Sequence, residues 1–181
     1  MQRVLILHGW HGSDAPHWQA WLAKELTARE YDVAFPQFSD NMTPSFDVWM
    51  DEAKMVLRTF APHIVITHSM GNTLWFHLLN GGHVRPVKRT LLVAPPRDLS
   101  DYPEVKSFFP VATPKNLESD EALLVTSDND PYMNQEEAKV LAEALGIDHN
   151  VLKDAGHINS DSGYGEWPWV LEWVLQSKES K

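Results

Sequence analysis

The 181-residue chain contains no cysteine, which excludes disulfides, thiolate zinc sites and a cysteine nucleophile before any motif is read. Positive charge is also scarce: 15 lysines and arginines stand against 25 aspartates and glutamates, a formal charge of −10. A field of that sign repels nucleic acid and anionic lipid surfaces, so neither is expected as a partner. Long apolar runs are lacking as well. The first, Val4 to Leu7, is too brief for a signal-peptide core and far too brief for a membrane span, which makes a cytoplasmic setting the expectation. Hydrophobic residues at 43% and charged residues at 22% fit neither disorder nor a fibrous repeat. The length predicts one folded domain over residues 1–176, followed by a polar tail at 177–181.

What is present is an alternation of two periodicities. Val4 to Leu7 reads as a parallel strand buried on both faces and closed by His8-Gly9. Trp18, Trp21, Leu22 and Leu26 then recur at helical spacing within His17 to Arg29, with Pro16 expected in the first turn. A short strand over Val33 to Phe35 stops at Pro36, and Phe46 to Phe60 reads as a helix broken off by Pro62. Ile64-Val65-Ile66 leads into Thr67-His68-Ser69-Met70-Gly71, after which Leu74, Trp75, Leu78 and Leu79 mark a helix ended by Gly81-Gly82. Arg89 to Ala94 and Leu123 to Thr126 are two more strand candidates, separated by an irregular stretch from Pro95 to Asp120 that is rich in proline and aromatic residues. A helix over Gln135 to Leu145, a strand over His149 to Leu152 and a helix over Trp167 to Leu175 complete the pattern. Six such alternations predict an α/β fold: a three-layer α/β/α sandwich around a mostly parallel sheet of about six strands. Ligands of such sheets bind beyond the carboxyl ends of the strands, so the chemistry is sought in the loops after Leu7, Ile66, Ala94, Thr126 and Leu152.

Thr67-His68-Ser69-Met70-Gly71 has the frame small-x-Ser-x-Gly between a buried strand and a helix, the context that a nucleophile elbow requires. Such a turn forces the serine hydroxyl above the sheet and needs small residues two positions before and after it. Gly71 meets that need; Thr67 is small but branched. A serine hydroxyl is a weak nucleophile until an imidazole takes its proton. His157, in Ala155-Gly156-His157 beyond the last strand, is the candidate base. Asp130, in Ser127-Asp128-Asn129-Asp130-Pro131 beyond the preceding strand, is the candidate for accepting the histidine Nδ1 proton and setting its tautomer. The chain order Ser, Asp, His is that of α/β-hydrolases and differs from the chymotrypsin and subtilisin orders. The backbone amides of Trp10 and Met70 are the expected oxyanion hole.

Taken together, His8-Gly9-Trp10, Thr67-His68-Ser69-Met70-Gly71, Asp130-Pro131 and Gly156-His157 resemble the retinoblastoma-binding protein 9 family of small serine hydrolases, over nearly the whole chain. The resemblance implies a minimal α/β-hydrolase without a separate lid domain, an esterase or related acyl-hydrolase activity, and no cofactor. It implies a small-molecule acyl substrate and leaves a protein partner open. It assigns the aspartate before proline, Asp130, to the histidine. Relatives more often carry alanine or glycine where Thr67 stands.

Each of these residues has a plainer reading. Asp128 is the rival carboxylate, with a turn-capping role as its alternative, and Asp154 is expected to be a solvated or loop-bonding residue. His8, His11 and His17 cluster near the first loop, yet no H-E-x-x-H spacing accompanies them and no metal is expected; His8 is expected to brace the oxyanion loop. His68 is expected to point away from the nucleophile, beneath the turn. Phe108 and Phe109, in the long loop after Ala94, are expected with His8 and Trp10 to line a substrate pocket, or else to form a satellite apolar cluster. A non-catalytic protein-binding module on the same scaffold is the competing function. A nucleotide-binding domain is disfavoured because neither glycine-rich phosphate motif occurs.

Overall fold

A computed structural model describes residues 1–176; the tail expected at 177–181 lies outside the described residues. Six strands run β1 (Arg3–Leu7), β2 (Asp32–Ala34), β3 (Ile64–His68), β4 (Val87–Val93), β5 (Ser119–Ser127) and β6 (Asp148–Leu152). Five helices alternate with them: α1 (Trp18–Ala28), α2 (Phe46–Thr59), α3 (Met70–Asn80), α4 (Gln135–Leu145) and α5 (Pro168–Leu175). The strands form one sheet in the order β2-β1-β3-β4-β5-β6, every neighbouring pair parallel. This is the α/β-hydrolase type of fold anticipated above.

Because side chains alternate across a strand, each central strand feeds both cores. Leu5, Leu7, Val65 and Leu92 face one cluster with Trp49 of α2, Leu74 and Leu78 of α3 and Ala142 of α4. Val4, Ile6, Ile64, Ile66, Leu91 and Val93 face the other, with Trp18, Leu22 and Leu26 of α1 and Val170 and Val174 of α5. Trp18, Trp49 and Trp75 are wholly buried. Burial of one large apolar side chain contributes about 1.5–3 kcal/mol, so these two layers supply most of the stabilisation.

Local chemistry sets the helix ends. α4 begins with a capping box: Asn134 accepts from the Glu137 amide at 2.9 Å while Glu137 accepts from the Asn134 amide. α1 starts later than its periodicity suggested. Pro16 stands before the helix, and the imidazole of His17 caps it by accepting from the Gln19 amide at 3.1 Å. β5 is longer than expected, because its first residues pair with β4 although they lack the apolar pattern of a buried strand. No helix among the described residues is long and apolar enough to cross a membrane.

The chain passes from β1 to β2 on one side and then returns to β3 on the other side of β1. The crevice beyond the carboxyl ends of β1 and β3 lies at this reversal, where open α/β sheets bind ligands.

Candidate active site

Ser69 joins β3 directly to α3 at φ 53° and ψ −127°, a left-handed conformation that a non-glycine residue adopts only when its surroundings enforce it. The enforcement is visible. A Cβ on Gly71 would sit 2.9 Å from the His8 carbonyl oxygen, so only glycine lets α3 start this close to β1. The Ser69 amide donates to the Val93 carbonyl at 3.1 Å, tying the turn to β4. Asn72, buried in the first turn of α3, donates to the Ser69 carbonyl at 2.9 Å and to the Val93 carbonyl at 2.8 Å. Its amide oxygen accepts from the Thr67 hydroxyl at 2.5 Å. The branched residue at position 67 is therefore accommodated by a hydrogen bond inside the elbow.

Three loops converge on the serine hydroxyl. His157 Nε2 lies 2.8 Å from Ser69 Oγ, and His157 Nδ1 lies 2.9 Å and 3.0 Å from the two carboxylate oxygens of Asp130. With the carboxylate accepting the Nδ1 proton, Nε2 is left with its lone pair toward the hydroxyl. The Asp130 side chain is 2% exposed, and its Oδ1 also accepts from the Tyr132 amide at 2.8 Å. Asp128 is occupied elsewhere: its Oδ1 accepts from the Asp154 amide at 2.7 Å. The His157 loop is pinned along its length. Ser127 Oγ accepts from the Ala155 amide, Asn129 Oδ1 from the Gly156 amide, and Ser162 Oγ from the His157 amide.

His68 lies behind this arrangement, its Nε2–H donating to the His157 carbonyl at 2.9 Å. Its ring packs 4.9 Å from that of His17. Burial, then the neighbouring His17 and His157, holds the His68 pKa well below the ordinary histidine value. Burial, then His157 and His8, lowers His17 to about 4. Both rings are thus neutral at neutral pH.

The loop after β1 presses on the elbow. A Cβ on Gly9 would lie 2.7 Å from Ser69 Cβ and 3.0 Å from the Met70 nitrogen, so glycine here brings the following Trp10 amide close to the start of α3. Among the described residues, neither the Trp10 nor the Met70 amide has a hydrogen-bond partner. His8 supports the loop from below: it accepts from the Phe38 amide at 2.9 Å and donates from Nδ1 to the Gly9 carbonyl at 2.8 Å.

Residues 4–176 match the family model described as serine hydrolase. The chain belongs to the serine hydrolase family. It is 23% identical to YdeN of Bacillus subtilis over 189 residues, covering 99% of this chain and 97% of that protein. The crystal structure of the ydeN gene product superposes with a TM-score of 0.85 at 20% identity, covering 97% of both chains. A YdeN-like protein from Pectobacterium atrosepticum gives 0.77 at 24% identity, with 97% of this chain and 90% of that one covered. The carboxylesterase CesB of Bacillus subtilis gives 0.65 at 14% identity, with 96% and 82% covered.

In this serine hydrolase a cavity of about 450 Å³ opens over Ser69 and His157, with Trp10 in its wall. Three of the expected pocket residues are elsewhere. His8 is wholly buried, its ring packed 5.0 Å from Phe38 and 5.3 Å from Trp49, and it lines no part of the cavity. Phe108 is also wholly buried, against Phe46 and Trp49 of α2. Phe109 flanks a separate cavity of about 170 Å³ beside Phe76 and Met133. The reason is packing: the long loop gains more by burying these rings against α2 and α3 than by leaving them over an open cleft. His8, His11 and His17 do not converge, and among the described residues no group of three metal-ligand side chains is found.

The sequence reading missed Asn72, Leu99 and Tyr132. Tyr132, 4.6 Å from the His157 ring, and Leu99 both line the cavity. Asn72 carried one signal: an amide side chain in the first turn of the helix, three positions after the serine.

Proposed function

We propose that this chain hydrolyses carboxylic esters through an acyl-enzyme intermediate, with Ser69 as nucleophile, His157 as general base and acid, and Asp130 as the residue that orients the imidazole. The observation that carries the reading is the 2.8 Å approach of His157 Nε2 to the hydroxyl of a serine held at positive φ. In the first half-reaction Ser69 Oγ bonds to the substrate carbonyl carbon while its proton passes to His157 Nε2. The carbonyl oxygen becomes an oxyanion, which the unpartnered Trp10 and Met70 amides are placed to receive at the positive end of α3. Collapse expels the alcohol, protonated by His157. Water then enters and gives its proton to His157 as it attacks the acyl carbon; the bond from that carbon to Ser69 Oγ breaks, and His157 returns the proton to Oγ, releasing the acid and free Ser69. Asp130 stays ionised throughout and stabilises the imidazolium.

The ester reading draws support from the open cavity over the serine and from fold neighbours such as the carboxylesterase CesB. The motif set shared with the retinoblastoma-binding protein 9 group carries the finer family placement we propose. A fluorophosphonate probe tests the core claim. Wild type becomes labelled at Ser69, and Ser69→Ala, folded by circular dichroism, does not. Absence of labelling on folded wild type would overturn the catalytic reading in favour of a binding role.

A further inference from the structure

Both peptide groups of Ser69 are tied to one oxygen of β4. The Ser69 amide donates to the Val93 carbonyl at 3.1 Å, and the Ser69 carbonyl accepts from Asn72 Nδ2, which also donates to Val93 at 2.8 Å. The backbone amide of Asn72 gives the Ser69 carbonyl a further bond at 2.9 Å. A torsion is fixed when the groups on either side of it are fixed, so this closed set of bonds holds Ser69 at φ 53° and ψ −127°. The Ser69 carbonyl belongs to the same peptide unit as the Met70 N–H, and that unit is trans. In a planar trans peptide the C=O and N–H point in opposite directions. A carbonyl held by Asn72 within the first turn of α3 therefore turns the Met70 N–H outward, toward the cavity that Met70 lines.

Thr67 settles which way the Asn72 amide faces. Both residues are wholly buried. The Ser69 and Val93 carbonyls only accept, so they face the Asn72 NH2 group and use both of its hydrogens. The Asn72 amide oxygen then faces Thr67, whose single hydroxyl proton reaches it at 2.5 Å; the Leu91 carbonyl stands farther off at 3.3 Å. A residue without a hydroxyl at position 67 would leave that buried oxygen unpaired, a state that native interiors avoid. The hydroxyl thus completes a chain of bonds from β3, through the Asn72 side chain, to the peptide that carries the Met70 N–H.

We propose that Thr67 and Asn72 are a coupled pair of positioning residues that aims the Met70 N–H at the oxyanion, so that their loss weakens the transition state while leaving substrate binding in place. The inference rests on the hydrolase reading and adds to it two residues outside the triad. Thr67→Val, Thr67→Ser, Asn72→Leu and the double variant Thr67→Val with Asn72→Leu test it. The readouts are kcat and KM for p-nitrophenyl butyrate and the rate of Ser69 labelling by a fluorophosphonate, whose phosphoryl oxygen enters the same hole. All are taken on protein folded by circular dichroism, well below each melting temperature. Asn72→Leu is expected to lower kcat and the labelling rate about 10²-fold, the size of a lost oxyanion donor, with KM within about twofold of wild type. Thr67→Val is expected to lower both rates about five- to tenfold, and Thr67→Ser, which keeps the hydroxyl, to recover most of that loss. The double variant should be no slower than Asn72→Leu alone, because the hydroxyl acts through the amide. The midpoint of the pH–rate profile should stay at its wild-type position in every variant, since the Asp130–His157 pair is untouched. Wild-type rates in folded Thr67→Val and Asn72→Leu, with only the melting temperature lowered, mark a structural role and overturn the inference alone. Multiplying losses in the double variant, or a displaced pH midpoint, overturn it as well. Should Asn72→Leu not fold, the valine and serine variants at position 67 decide; should the ester resist turnover, the labelling rates decide. Folded wild type that neither labels nor hydrolyses overturns the hydrolase reading, and this inference with it.

Discussion

Two long loops leave the carboxyl edge of the sheet and behave in opposite ways. The loop after β1, residues 8–17, stays over the serine and brings Trp10, Ser13 and His17 to the cavity. The loop after β4, residues 94–118, gives the cavity only Leu99 and buries Phe108 beside α2, where the His77 ring bonds the Phe108 carbonyl at 2.8 Å. The contrast teaches that aromatic content does not mark a substrate wall. A loop stays over the crevice when tight contacts hold it there, as Gly9 does against the elbow, and folds away when a better apolar berth lies within reach.

The comparison can be broken most forcefully at the edge shared by both loops. Ser69→Ala removes the proposed nucleophile and is expected to lower ester turnover by about 10⁴-fold or more, leaving the melting temperature near that of wild type. Asp130→Asn is expected to lower kcat by up to about 10⁴-fold through the wrong imidazole tautomer. Asp128→Asn retains turnover of the wild-type order, because its carboxylate serves the Asp154 amide. Steady-state kinetics on the pair decide between them; equal losses would return Asp128 to the site.

The next effects separate the two loops. Phe108→Ala is expected to destabilise by about 3–5 kcal/mol, measured by urea unfolding, while the folded fraction keeps its KM. Trp10→Ala is expected to do the reverse, raising KM with a smaller loss of stability, because its ring is only partly buried and its indole N–H reaches the Met42 carbonyl at the surface. A large KM change from Phe108→Ala would erase the distinction.

The smallest effect is a dependence of stability on pH that originates under the first loop. His17 and His68 bind protons less readily folded than unfolded. Between the unfolded value near 6.5 and about 4 for His17, the unfolded chain therefore holds more protons. Their contribution is intact above 6.5 and is lost as the pH falls through that window. His17→Asn keeps a side chain able to cap α1 and removes one titration, so its melting temperature should fall less steeply than that of wild type between pH ~6.5 and ~4. Parallel slopes would assign the loss to other groups.

Much of the fold was legible because its signals are local and periodic. The β-branched run Ile64-Val65-Ile66, the spacing of Trp18, Leu22 and Leu26, and the Ser-x-Gly frame at Ser69 each report a conformation that neighbouring residues enforce. The order of Ser69, Asp130 and His157 along the chain was legible for the same reason, since each sits directly after a recognisable strand. Ambiguity began wherever two residues offered equal local chemistry. Asp128 and Asp130 share one turn, and only the position of the β6 loop shows which carboxylate meets the imidazole and which holds an amide.

By itself, then, the amino-acid order determined the alternation of strand and helix, the strained turn and the candidate reacting groups, because backbone preferences and side-chain periodicity act over a few residues. Tertiary structure alone decided that Phe108 and His8 belong to the interior, that Asn72 stitches the elbow to β4, and that Tyr132 and Ser13 share a cavity with Ser69. Those outcomes depend on which surfaces compete for burial once distant segments meet, a competition that no short stretch of sequence contains.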